Sequence, residues 1–238
     1  MTQVTKAEIK SVAKALGELI DELVFVGGSS LILIVGDQPR EELRPTTDID
    51  SIVDVDSYTA LHEFEKRLIK RGFKRSDKPN DPICRWTLNG ITLDVMPSKQ
   101  ITGHVTNIWY DEAIKHAMVF DVGNSKNAKV ISPGYFVATK LVALKDRGNV
   151  ADLLGMNSNE DFQNKDLEDI VLLFDLLSLA EIFENRLSES AKSYVQAELK
   201  KISQIPTLPD FVSRCLSADF NDQRTRRIVE IFRHGRPL

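Results

Sequence analysis

Four aspartates, Asp48, Asp50, Asp54 and Asp56, alternate along an otherwise apolar segment. A strand shows every second residue on one side, so Asp48 and Asp50 project their carboxylates together. Another acid, Asp94, falls on the polar side of a later β-prone run. Carboxylates converging from neighbouring strands need a counter-charge. A hard divalent cation, Mg²⁺ or Mn²⁺, supplies it through oxygen ligands. Two such ions can activate an attacking oxygen and stabilise a leaving phosphate. Upstream, Gly27-Gly28-Ser29-Ser30 separates an apolar β-prone run from an apolar helical one. Glycines let a ligand approach the backbone, a helix N-terminus offers N–H groups and a positive dipole end to phosphate, and the two serine hydroxyls add donors. Each feature also has an ordinary explanation. Gly-Gly after a strand makes a turn, Asp-x-Asp forms a solvated face, and Asp94 pairs with Arg85 across a hairpin. The order of the features outweighs any one of them: strand, Gly-Gly-Ser, helix, Asp-x-Asp strand, later Asp strand.

The elements that must position these groups follow from periodicity. Thr5 to Glu8 forms a capping box, and Ile9, Val12, Leu16, Leu19, Ile20 and Leu23 recur at helical spacing. The pattern predicts an amphipathic helix over 6–22. Residues 23–26 read as a strand, 29–36 as a buried helix and 37–45 as a polar loop. The acid-bearing segment 48–55 has period two and reads as a strand. Its faces are Asp48, Asp50, Ile52 and Asp54 against Ile49, Ser51, Val53 and Val55. A helix over 58–71 follows, with Gly72 at its C-terminal cap. Residues 83–88 and 91–96 flank Asn89-Gly90, the strongest short hairpin signal. A two-residue turn pairs Leu88 with Ile91, Thr87 with Thr92, Trp86 with Leu93 and Arg85 with Asp94. Cys84, Trp86, Leu88, Ile91, Leu93 and Val95 then share an apolar face, with Arg85 and Asp94 opposite. Residues 100–130 hold another strand or two. Ser132-Pro133 reads as a cap and first helical residue, opening a helix over 133–147. A loop over 148–164 leads to helices over 165–186, 188–202 and 208–235. The expected fold class is α/β, a mixed sheet flanked by helices with a mostly α-helical C-terminal half. The domains expected are 1–130 and 131–238.

Composition limits the alternatives. The 238 residues are 42% hydrophobic and 28% charged, which argues against disorder. Net charge is -4, with 31 Lys+Arg against 35 Asp+Glu, and this excludes a basic nucleic-acid coat. The two cysteines, Cys84 and Cys215, form no CxxC pair, so neither a zinc site nor a disulfide framework is indicated. No apolar run reaches membrane-spanning length; Leu31 to Val35 is far too short. A cytoplasmic protein with no membrane partner is expected.

The order of motifs resembles the nucleotidyltransferase fold shared with DNA polymerase β. Arg44-Pro-Thr-Thr-Asp48-Ile-Asp50 is similar to the Arg-x-Thr-x-Asp-x-Asp form of AbiEii/AbiGii-type (MenT-like) nucleotidyltransferases. Ala138-Thr-Lys140-Leu-Val-Ala-Leu-Lys145-Asp-Arg147 and Lys165-Asp166-Leu-Glu-Asp169 resemble a later signature of that family. The resemblance covers about residues 20–178 and implies a metal-dependent enzyme. It would move an NMP from an NTP to an acceptor hydroxyl, with release of pyrophosphate. By the same resemblance, Gly27, Gly28, Ser29, Ser30, Arg44 and Thr47 would bind the nucleotide. Asp48, Asp50 and Asp94 would hold metal, and Asp94 would serve as the base. Lys140 would neutralise triphosphate charge, with Arg85, Lys145, Lys165 and Asp169 in support. The interval from Ser29 to Asp48 is longer than in many polymerase-β-like enzymes. Within the family the acceptor is a tRNA 3′ end for some members, the role is that of a toxin in toxin–antitoxin or phage-defence systems, and an antitoxin protein is the partner. A small-molecule acceptor, as in antibiotic nucleotidyltransferases, fits the same chemistry. A non-catalytic nucleotide- or partner-binding relative is the main alternative.

Residues 211–238 carry six arginines against three acids. This segment either touches RNA phosphates or pairs with the acidic helix over 165–189. The four histidines stand at no metal-ligand spacing.

Overall fold

The first half of the chain lays down strands whose apolar and polar residues alternate, and they join in one mixed sheet. The computed structural model of the protein describes residues 3–36, 45–104, 106–123, 126–148, 164–183, 187–216 and 221–234. The chain divides into two compact units, one of Met1–Gly36 and Pro45–Ser132, the other holding Pro133–Leu238.

The first unit begins with helix α1, Lys6–Leu16, whose N-terminus is closed by the Thr5/Glu8 capping box. Strand β1 is Leu23–Val26, helix α2 Gly27–Ile34, strand β2 Asp48–Val53 and helix α3 Tyr58–Lys70. Then come β3 Lys74–Arg75, β4 Arg85–Leu88, β5 Ile91–Pro97, helix α4 Tyr110–Lys115, β6 Met118–Gly123 and β7 Lys126–Val130. The seven strands lie in the order β3-β4-β5-β2-β1-β7-β6. β2 runs parallel to β5 and antiparallel to β1, and β1 runs parallel to β7. This is the expected α/β class, a mixed sheet with flanking helices.

Alternation decides which face is dry. Leu23, Phe25, Ile49, Val53, Trp86, Leu93 and Val95 share a buried cluster with Ile9, Val12 and Leu16 of α1 and with Leu61, Phe64 and Leu68 of α3. Each such side chain contributes about 1.5–3 kcal/mol on burial. The residues between them, Asp48, Asp50 and Asp94, must then project from the opposite face. The hairpin keeps that phase. Asn89 has φ 50 and Gly90 φ 81, the left-handed pair that a two-residue turn demands. All four expected pairs form, from Leu88 with Ile91 to Arg85 with Asp94.

Several expected boundaries move, each for a local reason. The helix over 6–22 stops at Leu16 because Gly17 takes φ 62, and the chain tightens into a 3-10 turn over Gly17–Glu22. Leu19 and Ile20 remain buried there, so the apolar period continues past the break. The strand expected over 48–55 ends at Val53, and Asp54 and Asp56 are exposed beyond it. Helix α2 starts two residues early, so Gly27 and Gly28 form its first turn rather than a turn before it. The uncertain segment 100–130 supplies β6 and β7 along with α4.

In the second unit, helix α5 is Pro133–Asp146. The expected helix over 165–186 is two helices, Lys165–Leu176 and Leu179–Phe183, because Leu177 is extended at φ -116, ψ 151. Ser178 and Glu181 then build a new capping box: Glu181 Oε2 accepts from Ser178 N at 2.8 Å and Ser178 Oγ from Glu181 N at 3.3 Å. The helix expected over 188–202 is Glu189–Ile202, capped by Ser188. The one expected over 208–235 is Leu208–Cys215 and Asn221–His234. Most of the loop expected over 148–164 lies outside the described residues. No helix among the described residues is long and apolar enough to cross a membrane.

Candidate active site

Strand register brings the acids of the first unit together. Asp50 pairs with Val26 of β1 on one side and with Asp94 of β5 on the other. Asp48 pairs with Thr92 of β5, two residues back along the same face. Paired residues point to the same side of a sheet, so Asp48, Asp50 and Asp94 form one acidic face. Asp54 and Asp56 lie past the end of β2. Asp54 instead accepts from Ser98 Oγ at 3.4 Å.

Arg85 dominates the charge balance of this face. It stands opposite Asp94 on β4 and grips it side-on: Nε donates to Asp94 Oδ1 at 2.9 Å and Nη2 to Oδ2 at 2.7 Å. Nη2 also reaches Asp48 Oδ2 at 3.1 Å, and Nη1 reaches Asp81 Oδ1 at 3.4 Å. The side chain of Arg85 is 19% exposed and that of Asp94 only 8%. A charge-assisted bond in such a setting is worth about 1.5–3 kcal/mol. Its hydrogen bonds to Asp94 hold the guanidinium further above its ordinary value, against the effect of burial. One guanidinium therefore serves three carboxylates, and Asp50 lies beside Asp94 on the same face. The remaining oxygen of Asp48, Oδ1, accepts from Thr46 Oγ1 at 3.3 Å. Thr46 is the threonine of the Arg-x-Thr-x-Asp-x-Asp pattern, and Asp81 stands at i-4 from Arg85.

The Gly-Gly segment meets this face directly. Gly27 has φ 65, and a Cβ there would lie 2.0 Å from Asp50 Oδ2. The Asp50 carboxylate thus rests against the first residue of α2, where the dipole favours negative charge. Ser30 Oγ donates back to Gly27 O at 2.7 Å. Ser29 is 1% exposed, and its Oγ has no hydrogen-bond partner among the described residues. The Oγ of Ser132, expected to cap α5, is likewise buried without a partner, so that cap bond is not made. Thr47 is exposed. Arg44 lies outside the described residues.

The donor set fits a hard cation only in part. Oxygen ligands suit Mg²⁺ or Mn²⁺, but both oxygens of Asp48 are hydrogen-bonded, to Arg85 and Thr46, and both oxygens of Asp94 are held by Arg85. Among the described residues, no group of three or more acid, histidine or cysteine side chains is arranged to hold an ion.

The other expected site residues belong to the second unit. Lys140 Nζ sits 3.1 Å from Asp166 Oδ1 and 2.6 Å from Asp169 Oδ2, with side-chain exposures of 11%, 3% and 2%. Burial alone would push the ammonium value down, but Asp169 and Asp166 more than reverse this and raise it. Its ammonium is paired with two acids of its own unit. Lys145 and Lys165 are exposed. Asp166 lies in the same motif as Asp169 but carries no expected role; the two have the i, i+3 spacing that aligns side chains on a helix. Arg147 also pairs with Asp166. In the C-terminal segment, Arg224 Nε donates to Asp175 Oδ1 at 3.0 Å and Arg227 Nη2 to Asp175 O at 2.8 Å. The pairing alternative for that segment therefore accounts for these two arginines.

What fold and site define together is an α/β sheet unit bearing a three-carboxylate face beside a glycine-led helix. No protein-family model and no curated protein sequence matches the chain. Among solved structures, the crystal structure of a candidate nucleotidyltransferase from H. pylori is similar at 13% identity, covering 95% of this chain and 92% of that one, with a TM-score of 0.42.

Proposed function

We propose that the protein is a nucleotidyltransferase that joins an NMP from an NTP to an acceptor hydroxyl. The observation that carries this reading is the contact of Asp50 with Gly27, on a face shared with Asp48 and Asp94. It sets an acid pair against a helix N-terminus that can receive phosphate. In the reaction the acceptor oxygen forms a bond to the α-phosphorus, and the bond from that phosphorus to the β-bridging oxygen breaks. Pyrophosphate leaves, and the hydroxyl proton passes to a carboxylate of the face or to solvent. Asp48 and Asp50 would hold a divalent cation, Mg²⁺ or Mn²⁺, which when bound supplies charge neutralisation for the phosphates. Gly27, Gly28 and the buried hydroxyl of Ser29 would take phosphate oxygens. Asp94, fixed by Arg85, would orient the acceptor.

Within this reading the α/β domain, 1–130, carries the chemistry, and the helical C-terminal half, 131–238, is a second domain. We read the acceptor as RNA, a tRNA 3′ end, and the role as that of an AbiEii-type toxin held by an antitoxin protein in the cytoplasm. This finer reading rests on the motifs Arg44 to Asp50 and Lys140 to Asp169 alone.

The test is transfer of label. Each α-³²P-labelled NTP is incubated with the protein, Mg²⁺ and total tRNA, and again with small-molecule acceptors. Label should enter one acceptor and vanish in Asp48→Asn and Asp50→Asn. Tight NTP binding without transfer to any acceptor would replace the enzyme with a nucleotide-binding relative. RNA binding that weakens with salt and ignores NTP would favour a simple RNA-binding module.

A further inference from the structure

In the first unit, Lys66, Arg67 and Arg75 each sit against a glutamate. Five other cations, Lys10, Lys14, Arg71, Lys126 and Lys129, gather where α1 ends, and none of them pairs with an acid among the described residues. Lys126 is half-buried and the other four are exposed. Two glycines link them. Lys10 Nζ lies 3.4 Å from the place a Cβ on Gly123 would take, and Gly123 is the register partner of Lys126. Lys126 Nζ donates to Gly17 O at 3.3 Å, and the guanidinium of Arg71 lies against Gly17. Lys14 stands one turn along α1 from Lys10, on the same face. Lys129 Nζ donates to Asp21 O at 2.7 Å. From Gly17 to Asp21 the 3-10 turn rises only about 8 Å, so the five charges surround one short piece of chain.

The fold accounts for part of this gathering. Lys126 and Lys129 close backbone carbonyls, and the dipole of α1 favours a cation such as Lys14 in its last turn. Neither reason calls for Lys10 and Arg71 beside them, and like charges brought together repel. The neighbouring acids are engaged or few. Glu22 is bound to Arg67 through two bonds of 2.6 Å, Glu8 belongs to the capping box, and Asp121 Oδ1 accepts from Gly123 N at 2.6 Å. Glu18 and Asp21 are exposed on the turn without an ion pair to any of the five. Set against Glu18, Asp21 and Asp121, the five cations leave a positive excess. On a protein of net charge -4 such an excess fixes where a polyanion can dock and in which orientation. The four residues of β1, about 13 Å of strand, separate the turn from Gly27. These cations therefore stand too far from Gly27 to serve a phosphate seated there, and suit phosphates of a chain that continues past it. We propose that this surface binds the phosphate backbone of an RNA, the body of the acceptor. As an acceptor surface it rests on the nucleotidyltransferase reading; as a phosphate surface it rests on the charges alone.

Anisotropy of fluorescein-labelled total tRNA, titrated with the whole protein between about 50 and 200 mM KCl, tests this without any turnover. The triple variant Lys10→Gln, Lys14→Gln, Arg71→Gln removes three phosphate contacts. Its affinity should fall about tenfold or more, and the slope of log affinity against log salt should flatten by about 2–3. Glutamine keeps the helix propensity of lysine, and circular dichroism confirms the fold. The triple variant Lys66→Gln, Lys192→Gln, Lys201→Gln removes the same charge from ion pairs elsewhere, and should change affinity less than about twofold. Equal losses in the two variants, or no loss in the first, overturn the inference and leave nucleotidyl transfer to other acceptors intact. A wild type that binds no tRNA also overturns it, and binding of phosphatidylserine vesicles instead would assign the cations to a membrane surface. Patch-dependent tRNA binding with no label transfer to any acceptor supports the phosphate surface while the functional reading falls.

Discussion

Gly27→Ala probes the closest approach in the acidic face. Two penalties meet at this position. Gly27 has φ 65, a region where a residue with a Cβ costs roughly 1–2 kcal/mol. The new methyl would also lie 2.0 Å from Asp50 Oδ2 and 2.7 Å from its Cγ. Those distances are far inside van der Waals contact, so something must move. Asp50 is held on both sides, by Val26 of β1 and by Asp94 of β5, and its backbone cannot retreat. Its side chain must leave its rotamer, and overpacking of this kind costs about 1–3 kcal/mol. The total is about 2–5 kcal/mol, less the few tenths that alanine regains by restricting the unfolded chain. Gly90→Ala separates the two penalties, because Gly90 has φ 81 and nothing within 4 Å of its would-be Cβ. Urea denaturation of the two variants should show Gly27→Ala less stable than Gly90→Ala by about 1–3 kcal/mol. Displacement of the Asp50 carboxylate should also lower Mn²⁺ affinity in Gly27→Ala and leave it unchanged in Gly90→Ala. Equal stability of the two variants, with Mn²⁺ affinity retained in both, would refute the contact between Gly27 and Asp50.

Two further perturbations address other parts of the chain. Lys140→Met leaves the buried carboxylates of Asp166 and Asp169 without the ammonium between them, and should cost about 3–5 kcal/mol in urea denaturation. A loss under about 1 kcal/mol would show the trio to be incidental. Because those carboxylates raise the Lys140 value, the stability it contributes is complete below about pH 10.4 and is lost as pH climbs through the raised value. Lys140→Met should therefore lack that alkaline decline. Burial pushes both thiols, Cys84 and Cys215, up to about 12, so at pH 8 the native protein should resist iodoacetamide. Mass spectrometry should find both alkylated only after unfolding in guanidinium, and rapid native labelling of Cys84 would contradict its burial.

The parts of the fold that sequence revealed are those where one local rule decides. Asn89-Gly90 set the hairpin turn, and with the turn came every pair up to Arg85 and Asp94. Period two placed Asp48 and Asp50 on one side of β2. Helix ends differ from the sequence expectation where apolar period and backbone geometry disagree. Leu19 and Ile20 continue the period of α1 after Gly17 has ended it. Ser178 and Glu181 restart a helix that the apolar pattern runs through, although their S-x-x-E spacing was there to be read. Of the site, the pairing of Arg85 with Asp94 follows from register. Its reach to Asp48 depends on a parallel pairing of β2 with β5 that no local motif encodes. The partners of Lys140 likewise depend on tertiary packing, since a motif names the lysine and Asp169 without saying that their charges cancel.

The hairpin that unites Arg85 with Asp94 also sets how far apart in sequence the partners of the charged face lie. All of its acids lie between Asp48 and Asp94, on β2 and β5 or just before β4, whereas β7, which closes β1 from the other side, ends at Val130. A chain emerging from the ribosome releases its N-terminal strands first. The pairing of β1 with β7, Val24 with Lys129, must wait for a long stretch of chain, and such distant contacts form slowly. A hairpin closes in about 1–10 microseconds. Arg85 is nine residues from Asp94, so a short loop brings the cation to its principal acid while the pairing of β1 with β7 closes a long one.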